Sequence, residues 1–155
     1  MSFILVAFST WLHTLATIIM IGYFAFASLI YLPVLERRFQ AQALRELLAQ
    51  VSARLRPWFG GALLAFLVTG TYLMLVNPDY LGLGRFFANP WSLLIVIKHV
   101  LVLAFLVLAV VPERAYLRQA GEGDPEALRR YRLALNLDLV LGAAILLLTA
   151  FAQAV

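Results

Sequence analysis

The two histidines are the side chains of this sequence best suited to bind a metal. His13 lies ten residues into the first long apolar segment, and His99 lies eight residues into the third. If both segments are helices that enter a membrane from the same face, a rise of about 1.5 Å per residue places each imidazole roughly 12–15 Å below that face. Imidazole is a ligand of haem iron and of copper. We therefore expect His13 and His99 to face each other across a helix bundle and to hold haem b or, as the alternative, copper.

Several other residues could complete such a site. Lys98 and Arg85 are cations that can bind the carboxylates of a ligand, such as the haem propionates. Small residues leave room for a flat cofactor between helices, and those assigned to the site are Thr17, Gly70 and Thr71. Each feature also has an ordinary explanation. A lysine stem can carry its ammonium to the headgroups, small residues let helices pack closely, and an intramembrane histidine can bond to a neighbouring helix.

The composition excludes several kinds of site and leaves one acidic residue to explain. There is no cysteine, which excludes disulfides, thiolate metal sites and cysteine nucleophiles. No hydrolytic or nucleophilic motif is present, and the sequence leaves open whether the chain is an enzyme, with an oxidoreductase as the candidate class. Asp138 follows Arg132 by about one and a half turns in the fourth segment, which predicts an ion pair near the membrane boundary. A proton-relay role is the alternative for Asp138.

Four apolar helices are the elements that position these side chains. Of the 155 residues, 64% are hydrophobic and only 13% are charged, against roughly 45–50% apolar residues in soluble domains. About 20 consecutive apolar residues cross the hydrocarbon of a bilayer. Segments of that kind lie at about 3–32, 58–76, 91–111 and 133–155. Strand alternation is absent, so we predict a single all-α domain, 1–155, that forms an up-down bundle of four transmembrane helices.

The charged connections predict the orientation of this bundle. Five arginines lie between the first two segments and five between the last two, whereas the remaining connection holds only Arg85. By the positive-inside rule, both Arg-rich connections are cytoplasmic and both termini lie outside. The first connection has leucines at helical spacing, and we expect Pro57 to end that helix and to open the second span. The expected location is a bacterial inner membrane, with the lipid bilayer as a partner and no nucleic acid.

The chain resembles the membrane domain of the copper resistance protein D (CopD) family. The likeness spans nearly the whole chain. It is carried by Trp11, His13, Gly22, Pro33, the triplet Gly70-Thr71-Tyr72, Lys98 and the fourth-segment stretch LDLVLGAAILLLTA. Many members of that family have additional helices, and Asp138 stands where a glutamate is typical. As its name indicates, the resemblance implies a membrane protein of copper resistance.

The chain is also similar to the HemJ-type protoporphyrinogen oxidases, which are small four-helix membrane proteins. They share a histidine in the first helix and a lysine in the third, matched here by His13 and Lys98. This similarity implies a haem-like tetrapyrrole in the bundle. The chain departs from the pattern at Val34, where an arginine is expected, and at Leu137, where a glutamate is expected after Asn136. These departures count against oxidase activity more than against a tetrapyrrole pocket.

Four hypotheses for function follow. The favoured one is a b-type haem protein that transfers electrons near the periplasmic face, exchanging them with a periplasmic carrier or with quinol. The others are copper transport or copper resistance, a HemJ-like oxidation of a porphyrinogen, and a structural subunit of a larger assembly without a cofactor. Glycines on several helices are compatible with a homodimer in each case.

Overall fold

The structure, a computed structural model, describes residues 3–85, 87–118 and 125–154. All the regular elements within these ranges are helical. In chain order they are α1 (Phe3–Phe26), a π-helical turn (Ala27–Tyr31), α2 (Leu32–Glu36), α3 (Ala41–Val76), a 3-10 turn (Leu83–Arg85), α4 (Pro90–Arg118) and α5 (Pro125–Ala154). The outermost residues of the predicted domain, 1–2 and 155, lie outside the described ranges.

Four helical stretches are long and apolar enough to cross a membrane. They are Phe3–Glu36, Ala41–Val76, Pro90–Leu117 and Pro125–Ala154. Large apolar side chains cover their outer surface, among them Phe3 at 84% exposure and Trp58 at 74%. Such a surface is stable in lipid and not in water. The prediction of an all-α protein with four candidate membrane spans is therefore confirmed.

Pro57 does not separate two helices, and that prediction is wrong. Helix α3 runs without interruption from Ala41 to Val76 with Pro57 inside it. Proline removes one backbone N–H and its ring crowds the carbonyl of the preceding turn, but long membrane helices tolerate this when neighbouring groups satisfy the freed carbonyl. The amphipathic connection and the second span are therefore one helix of 36 residues, about 54 Å long.

Helices α1 and α5 each pack against more than one of the other helices. Helix α1 packs against both α3 and α5, whereas α4 packs mainly against α5. Contacts to α3 run antiparallel, since His13 meets Phe66 whereas Phe24 meets Phe59. We call the end where α3 and α5 begin the Arg-rich end, and the other the loop end, after the 77–89 connection between α3 and α4.

Aromatic side chains hold the middle of the bundle together. The ring of Phe24 on α1 lies 5.9 Å from Phe59 on α3 and 5.0 Å from Phe105 on α4, edge to face in both cases. Nearby, α5 approaches α1 closely at Gly142, where an added Cβ would lie 2.9 Å from the side chain of Ile21. These contacts fix the register of α1, and with it the depth at which His13 lies.

Candidate functional site

His13 is anchored to a neighbouring helix through one of its two ring nitrogens. Nδ1 lies 3.1 Å from the Phe66 carbonyl oxygen and 3.1 Å from Thr69 Oγ1, both on α3. A carbonyl oxygen only accepts, so Nδ1 carries the hydrogen and donates it. In the neutral imidazole Nε2 then keeps its lone pair, which is the arrangement found in histidines that bind metals. The imidazole also stacks on the Phe66 ring, with centroids 4.4 Å apart.

Gly70 and Thr69 explain why the imidazole fits against α3. A Cβ at Gly70 would lie 2.9 Å from His13 Cε1, so any larger residue displaces the ring. Thr69 is buried, and its hydroxyl donates to the Ala65 carbonyl while accepting from His13. The structure therefore brings the predicted Gly70 to His13, together with Thr69, which directly precedes it in the sequence.

The two predicted threonines do not both lie near His13. Thr17 is half-buried, and its hydroxyl donates to the His13 carbonyl one turn earlier, at 2.8 Å. Thr71 is exposed on the outer surface of α3. It lies one residue from Gly70, which turns its side chain about 100° away from the α1 contact.

His99 does not face His13, and this expectation is wrong. Its side chain is exposed, and its Nδ1 lies 2.7 Å from the carbonyl oxygen of Ile95 in the preceding turn of α4. Lys98 occupies the inner side of α4 instead; it is half-buried and lies within electrostatic range of His13. Adjacent residues on a helix point about 100° apart, so Lys98 and His99 cannot both line the interior. None of the ion pairs among the described residues includes Lys98.

Arg85 remains apart from this group in the structure. It ends the 3-10 turn in the loop between α3 and α4, and its side chain is exposed. The same loop is held by Asn89, whose side chain donates to the Asp79 carbonyl and accepts from the backbone N–H of Ser92 at the start of α4. No described contact joins Arg85 to His13.

Thioether groups are the other soft donors near the imidazole. Met20 lies two turns from His13 on α1 and is 4% exposed. Met74 is half-buried on α3, one turn from Gly70. Within the described ranges, no group of three His, Cys, Asp or Glu residues could hold a metal ion. The described residues around His13 therefore offer a single imidazole, with the two thioethers one or two turns away along α3 and α1, rather than a closed cluster of hard ligands.

Asp138 and Arg132 do not form the predicted ion pair. Arg132 binds Glu36 instead, with Nη2 and Oε2 2.7 Å apart. Asp138 is 0% exposed, and neither of its carboxyl oxygens has a hydrogen-bond partner in the described part of the chain. Arg132 and Asp138 are about one and a half turns apart on α5, so their side chains lie at different depths. Glu36, at the end of α2, lies at the level of Arg132 and forms the ion pair.

A second cross-helix polar contact joins α5 to the π-helical turn. The hydroxyl of Ser28 donates to the side-chain oxygen of Asn136, 2.5 Å away. A π-helical turn widens the helix by one residue, and such turns often occur at functional positions. Nothing in the sequence analysis predicted this turn.

Comparison with known proteins identifies the family. The family model described as copper resistance protein D matches residues 49–152. The chain belongs to the CopD family. This confirms the resemblance drawn from the sequence; the matched range takes in most of α3, all of α4 and most of α5, and leaves out α1 with His13. No curated protein and no solved structure matches the chain.

Proposed function

We propose that this CopD-family membrane protein binds copper within the bilayer, with His13 as the central ligand. Family membership is the first support, because copper resistance is what the family model names. The observation that supports the proposal is the bond from His13 Nδ1 to the Phe66 carbonyl, which leaves the lone pair of Nε2 available to a metal.

The donors around His13 suit copper in particular. Imidazole nitrogen and thioether sulfur bind Cu(I) well, whereas harder ions prefer oxygen. Met20 lies about 10 Å from His13 along α1, judged by the helical rise, and Met74 lies one turn beyond Gly70 on α3. In this proposal copper is a transported ion and not a resident cofactor. A transported ion must exchange its ligands, so an incomplete ligand set at His13 is expected.

Copper content of the purified protein tests this proposal. The protein is loaded with Cu(I) in detergent, dialysed and analysed for copper per chain. We expect retained copper in the wild type and in His99→Ala, and its loss in His13→Ala. His99→Ala is the matched control, because it removes an imidazole that is exposed on the outer surface. Loss of copper in both variants, or in neither, would reject His13 as the ligand.

Haem b remains a second candidate, favoured by one observation. Lys98 is half-buried, its charge acts on His13, and it has no carboxylate partner among the described ion pairs. A haem propionate would supply that carboxylate, with His13 as the one axial imidazole from this chain. The bis-histidine version fails because His99 is exposed. A Soret band in protein purified from cells supplied with haem precursor, absent from His13→Ala, would favour haem; copper retention without that band would favour copper.

We propose that the Arg-rich end faces the cytoplasm of a bacterial cell and that both termini lie outside the inner membrane. The support is the distribution of arginines among the connections. The chain has no cysteine, so single cysteines report orientation without background. In intact cells, a membrane-impermeant maleimide should label Asp79→Cys in the loop and should not label Gln42→Cys at the Arg-rich end. The reverse pattern would overturn the orientation.

A further inference from the structure

A groove at the Arg-rich end lies apart from His13. It has a volume of about 200 Å³, is lined by residues of α1, α3 and α4, and is open on one side. Its walls are largely apolar, with Ile19 on α1, Phe59 on α3 and Val110 on α4 among them. Gly60 forms part of the α3 wall, and an added Cβ there would meet nothing within 4 Å. The groove can therefore accept an apolar chain from the side of the bundle.

Two arginines lie at the mouth of this groove. Arg56 on α3 and Arg114 on α4 both line it, and both are exposed. Arg56 is about 30 Å from the end of α3 at Val76, judged by the helical rise, which is the thickness of a bilayer's hydrocarbon. Trp58 is 74% exposed nearby, as is typical of side chains at the level of the headgroups. The two guanidinium groups thus lie where lipid phosphates lie.

The charge at this mouth is positive and incompletely balanced. Glu113 also lines the groove, and both Arg56 and Arg114 lie within electrostatic range of its carboxylate. The hydroxyl of Ser52 lies within reach of the same carboxylate. The ion pairs formed among the described residues involve other arginines. Two cations therefore share one acid, and guanidinium donors remain for a further anion.

We propose that this groove binds one phospholipid with an anionic, hydroxyl-bearing headgroup. The phosphate accepts hydrogen bonds from Arg56 and Arg114, for which guanidinium geometry is well suited. A headgroup hydroxyl donates to Glu113, and an acyl chain lies against the walls of the groove. Basic pockets between membrane helices are a known means of recognising anionic headgroups. The proposal is independent of copper binding, because no residue of the His13 site lines the groove.

Native mass spectrometry of the delipidated protein tests the proposal, with phosphatidylglycerol and phosphatidylcholine as the two probes. We expect phosphatidylglycerol to bind at least about tenfold more tightly. The double variant Arg56→Gln/Arg114→Gln should weaken the binding of both lipids, because both carry the phosphate that the two arginines bind. The matched control, Arg37→Gln/Arg38→Gln, removes two exposed arginines at the same end that do not line the groove, and it should bind as the wild type does.

A pair of glycine variants tests the groove itself without touching a charge. Gly60→Leu fills the wall and should weaken the binding of both lipids, whereas Gly61→Leu should leave binding unchanged. Both positions have open space around an added Cβ, but only Gly60 lines the groove. Any of three results would overturn the proposal: equal binding of the two lipids, equal effects of the two arginine pairs, or no effect of Gly60→Leu. Equally tight binding of free glycerol phosphate would also overturn it, because the site would then hold a phosphate and not a lipid.

Discussion

The two histidines lie in helices of similar apolar character, but their surroundings differ. His13 donates from Nδ1 to the carbonyl of Phe66, on a different helix, and its ring stacks on that residue. Among the residues that the structure describes, His99 bonds only to Ile95, one turn earlier in its own helix, and it is exposed. A bond within one turn can form in an isolated helix, whereas a bond across helices requires the folded bundle. Only His13 is therefore positioned by the tertiary structure.

This difference decides which imidazole can serve a site in the interior. The His13 ring is held by two hydrogen bonds, a stacked ring and the space left by Gly70. A ligand held in advance loses less conformational entropy when a metal binds. His99 lies where lipid or another protein would meet it, and nothing described holds it beyond its own helix.

The largest expected effect is the difference in unfolding free energy between the variants His13→Ala and His99→Ala. We expect His13→Ala to lower the free energy of unfolding in detergent by about 2 kcal/mol, since membrane hydrogen bonds contribute about 0.6 kcal/mol on average and a stacked ring about 1 kcal/mol. His99→Ala should change it by less than about 0.5 kcal/mol. Reversible unfolding in a denaturing detergent measures both. Equal losses of unfolding free energy in the two variants would contradict the claim that the tertiary structure positions His13 and not His99.

Gly70→Ala should disturb the His13 ring without removing it. The added Cβ would lie 2.9 Å from Cε1, so the ring or the helix must shift, at a cost of about 1 kcal/mol. Gly61→Ala is the control, because its Cβ meets nothing within 4 Å, and better helix propensity should make it neutral or stabilising. Copper retention should fall in Gly70→Ala alone. Unchanged retention there would mean that the ring position does not matter for binding.

Ser28 extends the comparison to a second cross-helix contact. Ser28→Ala removes the bond to Asn136 on α5 and should lower stability by about 0.6 kcal/mol. Thr14→Ala removes a hydroxyl that bonds only to the Thr10 carbonyl of its own helix, and it should have almost no effect. Thermal unfolding compares the two. A larger loss for Thr14→Ala would show that cross-helix bonds are not the ones that matter.

Asp138→Asn should have the smallest effect on the free energy of unfolding. The carboxyl is fully buried and has no hydrogen-bond partner within the described structure, so replacing it with an amide of similar shape removes no interaction. We expect stability within about 0.5 kcal/mol of the wild type or slightly above it. A loss of several kcal/mol would show that the carboxyl binds a group supplied from outside this chain.

The spans were predictable from the sequence because they depend on hydropathy alone. Their packing was not, since it depends on which side of each helix turns inward. Lys98 and His99 illustrate this: both are polar, one position apart, and hydropathy does not say which one faces the bundle. Gly70 was assigned to the site for its small size, and the structure gives a more specific reason, since the His13 ring occupies the space beside it. The continuous α3 was missed because Pro57 usually ends a helix in water.

The groove at the Arg-rich end also lay beyond the sequence analysis. Arg56 and Arg114 were counted toward orientation, as members of the connections. Only the folded bundle shows that they share Glu113 and meet at one depth, because the three residues come from two helices. Local patterns identify elements, whereas sites assembled from distant parts of the chain require their packing.

X-ray absorption at the copper edge tests the central claim most directly, because it reports the atoms bound to the metal. In the Cu(I)-loaded wild-type protein we expect the scattering pattern of an imidazole ligand, retained in His99→Ala and absent from His13→Ala. The opposite result, an imidazole signal that survives His13→Ala and disappears in His99→Ala, would contradict the account and place the metal on the outer surface of α4.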